Sequence, residues 1–108
     1  MFHIKHYVDS DGADPYQEWF ESLRDISAQA RISARVLRLQ LGLFGDCRFV
    51  GEGVWELKIN CGPGYRVYYA IAGQDVILLC EGGDKRTQQP DIKRAIRRWQ
   101  DWQTRSEK

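Results

Sequence analysis

Apolar and polar residues alternate from the first positions of the chain. Phe2, Ile4 and Val8 share one parity and His3, Lys5 and Tyr7 the other, which predicts a half-buried strand. The period then changes. Asp14 stands as an N-cap, with Pro15 at the first helical position and Gln17 placed for the reciprocal capping bond. Tyr16, Trp19, Phe20 and Leu23 follow at i, i+3, i+4 and i+7, one apolar stripe of a helix. A second helix is predicted over about 27–43, with Ile32, Val36, Leu39 and Leu43 facing inward. Arg31, Arg35 and Arg38 line a neighbouring face, and Gly42 and Gly45 end it.

From there the period is two. Residues 46–51 predict a short edge strand. Trp55, Leu57 and Ile59 alternate with Glu56, Lys58 and Asn60, and "CGPG" reverses the chain. The return strand "YRVYYAIAG" puts Tyr65, Val67, Tyr69 and Ile71 on the core parity and Arg66 and Tyr68 on the other. "DVILLCE" is apolar on both parities and reads as a central strand covered on both sides. A last helix is predicted from about Pro90, burying Ile92, Ala95, Ile96 and Trp99. The order β-α-α-β-β-β-β-α predicts an α+β fold, an antiparallel sheet with helices packed largely on one face.

At 108 residues, 43% of them hydrophobic, the chain predicts one domain (1–108) with a single core. No apolar run approaches the roughly 20 residues that span a membrane, and "MFHIKHYVDS" has no continuous apolar region of a leader peptide. Three cysteines (Cys47, Cys61 and Cys80) are widely spaced, without a CxxC pair. That predicts free thiols, a cytoplasmic setting, and neither a disulfide framework nor a zinc site. His3 and His6, on opposite strand faces, make a poor metal pair.

The net charge of +1 conceals a division. Residues 1–30 hold two bases against six acids, and residues 31–108 hold fourteen against nine. Six bases lie between Lys85 and Arg98 with only Asp91 among them. Such segregation suits a phosphate-bearing partner on one side, although a solvated basic helix face has the same composition.

The candidate chemistry lies at the end of the sheet. Lys58, Arg66 and Tyr68 are predicted to share one open sheet face. In "CEGGDKRTQQPD", Gly82 and Gly83 read as a hinge that delivers Asp84, Lys85 and Arg86 beside them. Fixed cations around a phosphate stabilise the charge that grows on its oxygens during displacement. The competing reading is a solvated turn in which Asp84 caps its own backbone. Neither GxGxxG nor GxxxxGK[ST] occurs.

The blocks "DPYQEWFESLRD", "ARISARVLRLQLGLFGD", "GVWELKINCGPGYRVYY" and "ILLCEGGDKRTQQPDIKRA" together resemble the RelE/ParE superfamily of toxins from bacterial toxin–antitoxin modules. Within it they are most similar to the HigB-like killer proteins related to phage-derived proteins. The resemblance implies a metal-free, ribosome-dependent mRNA endonuclease that needs no cofactor and in which a 2′-hydroxyl attacks the adjacent phosphate. Carried over, the "GYR" arginine is Arg66 and "GGDKR" gives Lys85 and Arg86. Lys58 is the nearest strand lysine, and Asp84 joins the group through "GGDK". Tyr68, Lys93, Arg94 and Arg97 are the expected RNA-binding residues. The tyrosine that follows "GKR" in RelE is missing here, where the chain reads "TQQPDI". The implied partners are a helix-turn-helix (HigA-like) antitoxin, mRNA and the ribosome, with operator DNA met only through the antitoxin and no membrane. Two other classes carry the same fold signature: a ParE-like DNA gyrase inhibitor, and a non-enzymatic regulator that binds antitoxin and DNA.

Overall fold

The computed structural model describes residues 1–106. The elements are β1 (His3–His6), α1 (Pro15–Ser22), α2 (Ile26–Gln40), β2 (Cys47–Gly51), β3 (Val54–Ile59), β4 (Tyr65–Ala72) and β5 (Val76–Asp84), then a 3₁₀ turn (Lys85–Thr87) and α3 (Gln88–Ser106). Helix starts follow their caps. The Asp14 carboxylate accepts from the Gln17 amide at 3.0 Å and Asp25 from the Ala28 amide at 3.2 Å. Gly42, in the left-handed region at φ 80°, follows the end of α2.

The five strands lie in the order β1-β5-β4-β3-β2. Strands β2 to β5 form the expected antiparallel meander, but β1 runs parallel to β5, with Ile4 opposite Ile77 and His6 opposite Leu79. The sheet is therefore mixed, not antiparallel throughout. β1 fills the edge of β5 that β4 leaves open, which makes β5 an interior strand.

The helices also divide between the two faces, which corrects the one-face expectation. On one face α1 and α2 pack Tyr16, Ala28, Ile32 and Leu39 against Leu57, Val67, Tyr69, Ile77 and Leu79. On the other, α3 packs Ala95 and Trp99 against Tyr68, Ala70, Leu78 and Cys80. Burying apolar residues of both parities on β4 and β5 requires two covering layers. Tyr7 rather than Val8 enters the second layer. Its hydroxyl donates to Asp101 at 2.7 Å, whereas Val8, beyond the end of β1, is exposed.

A bulge in β5 decides what reaches the far end of the sheet. Tyr69 faces Leu79 while Tyr68 faces Glu81, so Cys80 is the extra residue. Cys80 and Glu81 thus lie on the α3 side together, and the parity of every later residue is reversed. Gly82 then meets Trp19 of α1, and Gly83 meets Asp91 and Thr87 at the start of α3.

Candidate functional site

Three of the expected residues converge where the hairpin β3–β4 meets the end of β5. Lys58 pairs with Arg66 across the hairpin, and Arg66 pairs with Gly83. The next residue out, Tyr65, pairs with Asp84. Gly64 turns the chain into β4 at φ 81°, and a Cβ built on it would lie 3.2 Å from Arg66 Nη1 and 3.5 Å from Lys85 Cβ. Over that bare glycine the Arg66 guanidinium and the Lys85 stem come close together.

Arg66 is not on an open face. It is 8% exposed. Its Nη1 donates to the carbonyls of Gly64 (3.0 Å) and Tyr65 (3.3 Å), while its Nε is buried without a partner. Tyr68 is completely buried beneath α3 and donates its hydroxyl to Glu56 at 2.9 Å. Burial, followed by the neighbouring Glu56 carboxylate, drives the Tyr68 hydroxyl well above its ordinary value, so it stays a protonated donor. The expected Tyr68 platform for RNA is thus a core residue, because α3 covers the face that the hairpin pattern alone leaves open.

Nor do Gly82 and Gly83 form a hinge. Both are regular positions of β5 and both are buried. Asp84 caps the 3₁₀ turn: its carboxylate accepts from the Arg86 amide (2.8 Å), Nε (3.2 Å) and Nη2 (2.9 Å). The Arg86 side chain, then burial acting in the opposite sense, leaves the Asp84 carboxyl below its ordinary value. Asp84 and Arg86 are therefore committed to each other at the rim, as in the capped-turn reading, and only Lys85 of that triplet extends freely beside Arg66.

Of the helix bases, Arg94 is paired twice, Nε to Glu81 at 2.8 Å and Nη2 to Asp91 at 2.6 Å. Arg98 reaches Glu81 at 3.0 Å. These two arginines fasten α3 to the sheet. Lys93 and Arg97 are exposed and make no ion pair among the described residues.

The residue that sequence reasoning missed is Glu56. It has no exposed surface, yet its carboxylate accepts from Arg48 Nε (2.8 Å), Tyr68 Oη (2.9 Å) and Gln88 Nε2 (3.0 Å). Burial pushes its pKa up, but the bonds from Arg48, Gln88 and Tyr68 outweigh this and hold the carboxyl below its ordinary value. Strands β2, β3 and β4 and the first residue of α3 are joined through it. A signal existed in the sequence: Tyr68, Ala70 and Ala72 put apolar residues on the polar parity of β4, so that face must be covered, and Glu56 beside them must be paired.

The architecture defines a small α+β domain with a mixed five-stranded sheet and a cation-lined sheet end. The model of the family "Phage derived protein Gp49-like (DUF891)" matches residues 18–100, and the chain belongs to that family. The family falls within the RelE-like superfamily of toxin–antitoxin toxins. The matched span contains Lys58, Arg66 and Lys85 together with Glu56 and its partners. An uncharacterized protein of Haemophilus influenzae (strain ATCC 51907 / DSM 11121 / KW20 / Rd) is 51% identical over 81 residues, which cover 74% of this chain and 81% of the relative. Among the described residues, no helix is long and apolar enough to cross a membrane, and no cluster of His, Cys, Asp or Glu has metal-binding geometry.

Proposed function

We propose that this single-domain chain is the toxin of a type II toxin–antitoxin module and acts as an endoribonuclease on messenger RNA at the ribosome. One observation carries the reading: a nearly buried guanidinium, Arg66, whose Nε has no hydrogen-bond partner, lies beside Lys58 and Lys85 at the strand end. A buried cation with an unused donor is costly unless something arrives to accept it, and a backbone phosphate is such an acceptor. In the reaction the 2′-hydroxyl oxygen bonds to the adjacent phosphorus as the bond from phosphorus to the 5′ oxygen breaks. The products are a 2′,3′-cyclic phosphate and a 5′-hydroxyl, and the proton lost by the 2′ oxygen is balanced by one gained at the 5′ oxygen. Arg66 binds the non-bridging oxygens, where negative charge grows. Lys58 and Lys85 supply further charge and the proton traffic, and Arg86, held by Asp84, forms the rim. Lys93 and Arg97 are the helix cations free to meet phosphates further along the strand. The protein partner is a helix-turn-helix, HigA-like antitoxin, through which alone the complex meets operator DNA.

Induced expression tests this, with Arg66→Ala and Arg66→Lys compared at equal soluble level. Wild type is expected to arrest growth and to cut messages at sites seen by primer extension. Arg66→Ala is expected to do neither, and lysine to rescue poorly, since it lacks a planar fork for two oxygens. If Arg66→Ala arrests growth as strongly as wild type, the nuclease reading fails. A gyrase supercoiling assay then tests the ParE-like reading.

A further inference from the structure

Two guanidinium groups approach one buried oxygen. Arg48 Nε donates to Glu56 Oε1 at 2.8 Å, and Arg66 Nε stands 3.7 Å from that same oxygen, an ion pair without a hydrogen bond. The arginines come from opposite sides of β3. Arg48 lies on the edge strand β2 directly opposite Glu56, and its side chain is half exposed. Arg66 lies on β4, two residue pairs further along, and is nearly buried. Glu56 Oε2 is already occupied by Tyr68 and Gln88. Oε1 has room for a second donor, so what keeps Arg66 from it is distance: Arg48 holds that oxygen on the β2 side, 3.7 Å from Arg66 Nε.

The energetic consequence follows from burial. A carboxylate and a guanidinium in contact and shielded from water form a strong charge-assisted bond, and an incoming phosphate would have to displace it. With Oε1 held by Arg48, the Arg66 Nε remains without a hydrogen bond. We propose that Arg48 is a positioning residue: it holds Glu56 short of a hydrogen bond to Arg66, so that the Arg66 guanidinium is not locked to a carboxylate and can turn toward the phosphate of bound RNA. The role in RNA binding rests on the functional reading above, whereas the competition between Arg48 and Arg66 for Glu56 does not.

The test compares wild type with Arg48→Ala, Arg48→Lys and Arg48→Ala combined with Glu56→Gln. Affinity is measured for a short RNA carrying 2′-O-methyl groups throughout, which the 2′-hydroxyl mechanism cannot cut. The Nε–Hε resonance of Arg66 is followed by NMR in the RNA-free proteins. Arg48→Ala is expected to weaken RNA binding about tenfold, the scale of coupling between groups in one network. It is also expected to shift the Arg66 Nε–Hε resonance and slow its exchange, as Glu56 closes on it. Arg48→Lys is expected to restore most of the affinity. Adding Glu56→Gln to Arg48→Ala is expected to recover binding, because the competing charge is gone; a merely structural role for Arg48 would make the double variant worse.

The proposal is overturned if Arg48→Ala leaves the Arg66 resonance unmoved, or if the double variant binds no better than Arg48→Ala alone. If wild type itself binds no RNA, the nuclease reading fails, and the resonance alone decides whether Arg48 restrains Glu56. Should Arg48→Ala not fold, Arg48→Gln keeps most of the side-chain stem without the charge and undergoes the same comparisons.

Discussion

Gly82→Ala separates two accounts of the double glycine at the end of β5. A methyl group there would overlap the six-membered ring of Trp19, with Cζ3 only 2.5 Å away and two other ring atoms nearer. The indole has no flexible end to yield. It is set against Tyr16 (centroids 5.9 Å apart) and edge-on to Tyr65 (6.2 Å), so it moves only by giving up those contacts or by pushing β5 back. Overpacking of this kind costs about 1–3 kcal/mol, and losing part of an indole's burial adds to it. The smaller entropy of the unfolded alanine chain returns about 0.4–1 kcal/mol. A net loss of about 2–3 kcal/mol is expected, which in a domain of this size lowers Tm by on the order of 10 °C.

Guanidinium chloride titration and calorimetry of Gly82→Ala, Trp19→Ala and the double variant give the comparison. In the Trp19→Ala background the methyl group has room, so Gly82→Ala is expected to fall within about 0.5 kcal/mol of neutral, a coupling that a double-mutant cycle reads directly. A hinge would behave differently: activity would fall while stability held. A loss under about 0.5 kcal/mol in the wild-type background, or the same loss with and without Trp19, would refute the packing explanation.

Gly83→Ala places its methyl group 2.8 Å from Asp91 Cγ and 3.0 Å from Thr87 Oγ1, so it is expected to dislodge Asp91 from Arg94 and to destabilise by about 1–3 kcal/mol, read by the same titration. Glu56 makes stability depend on pH: its folded-state pKa lies below the ordinary 4.5, so its contribution is complete above that value and is lost as pH falls below it. Urea midpoints measured from pH 7 to pH 3 are expected to drop in that acid limb, and Glu56→Gln to drop less steeply. Arg94→Ala, which leaves Asp91 without its cation and Glu81 with only Arg98, is expected to cost about 1–3 kcal/mol in stability. Arg97→Ala is expected to leave stability within about 0.5 kcal/mol of wild type and to reduce the slope of log RNA affinity against log salt by about 0.7. Equal stability of the Arg94 and Arg97 variants would remove the structural role given to Arg94.

Element order and the cap of the first helix were legible in the sequence because each is set locally. Asp14 and Pro15 start α1 whatever the rest of the chain does, and the alternation through Trp55, Leu57 and Ile59 determines which side of β3 meets α2. The placement of α3 was not local information. "DVILLCE" signalled a strand covered on both faces, and the same logic applied to Tyr68 and Ala70 puts a helix over the face that carries Lys58 and Arg66. Treating that face as open turned Tyr68 into a surface residue and left Glu56 unnoticed, although both follow from one covering layer. The double glycine misled for another reason. Glycine in a turn supplies conformational freedom, but these two are extended, and their value lies in the absent Cβ, which only the approach of Trp19 and Asp91 reveals. The bulge at Cys80, invisible in a period-two pattern, decides which glycine meets which partner.

The candidate site then has a definite structural logic. Cations useful to a polyanion repel one another and resist burial, so they belong where the backbone holds them and water still reaches them. Lys58, Arg66 and Lys85 come from β3, β4 and the 3₁₀ turn that follows β5, and they meet at one end of the sheet. Arg66 is the deepest: Nη1 rests on two backbone carbonyls, which orient a guanidinium but do not neutralise it, and Glu56 approaches Nε only to 3.7 Å. Full neutralisation by Glu56 would make a more stable core, since a buried donor left unpaired costs about 1–3 kcal/mol. That the nearby carboxylate is held by Arg48 from a half-exposed edge strand means stability is surrendered at the guanidinium proposed to meet a phosphate. Local instability of this kind collects where binding needs it. Arg66 is thus the point at which the fold and the proposed chemistry make opposite demands, and the chain satisfies the second.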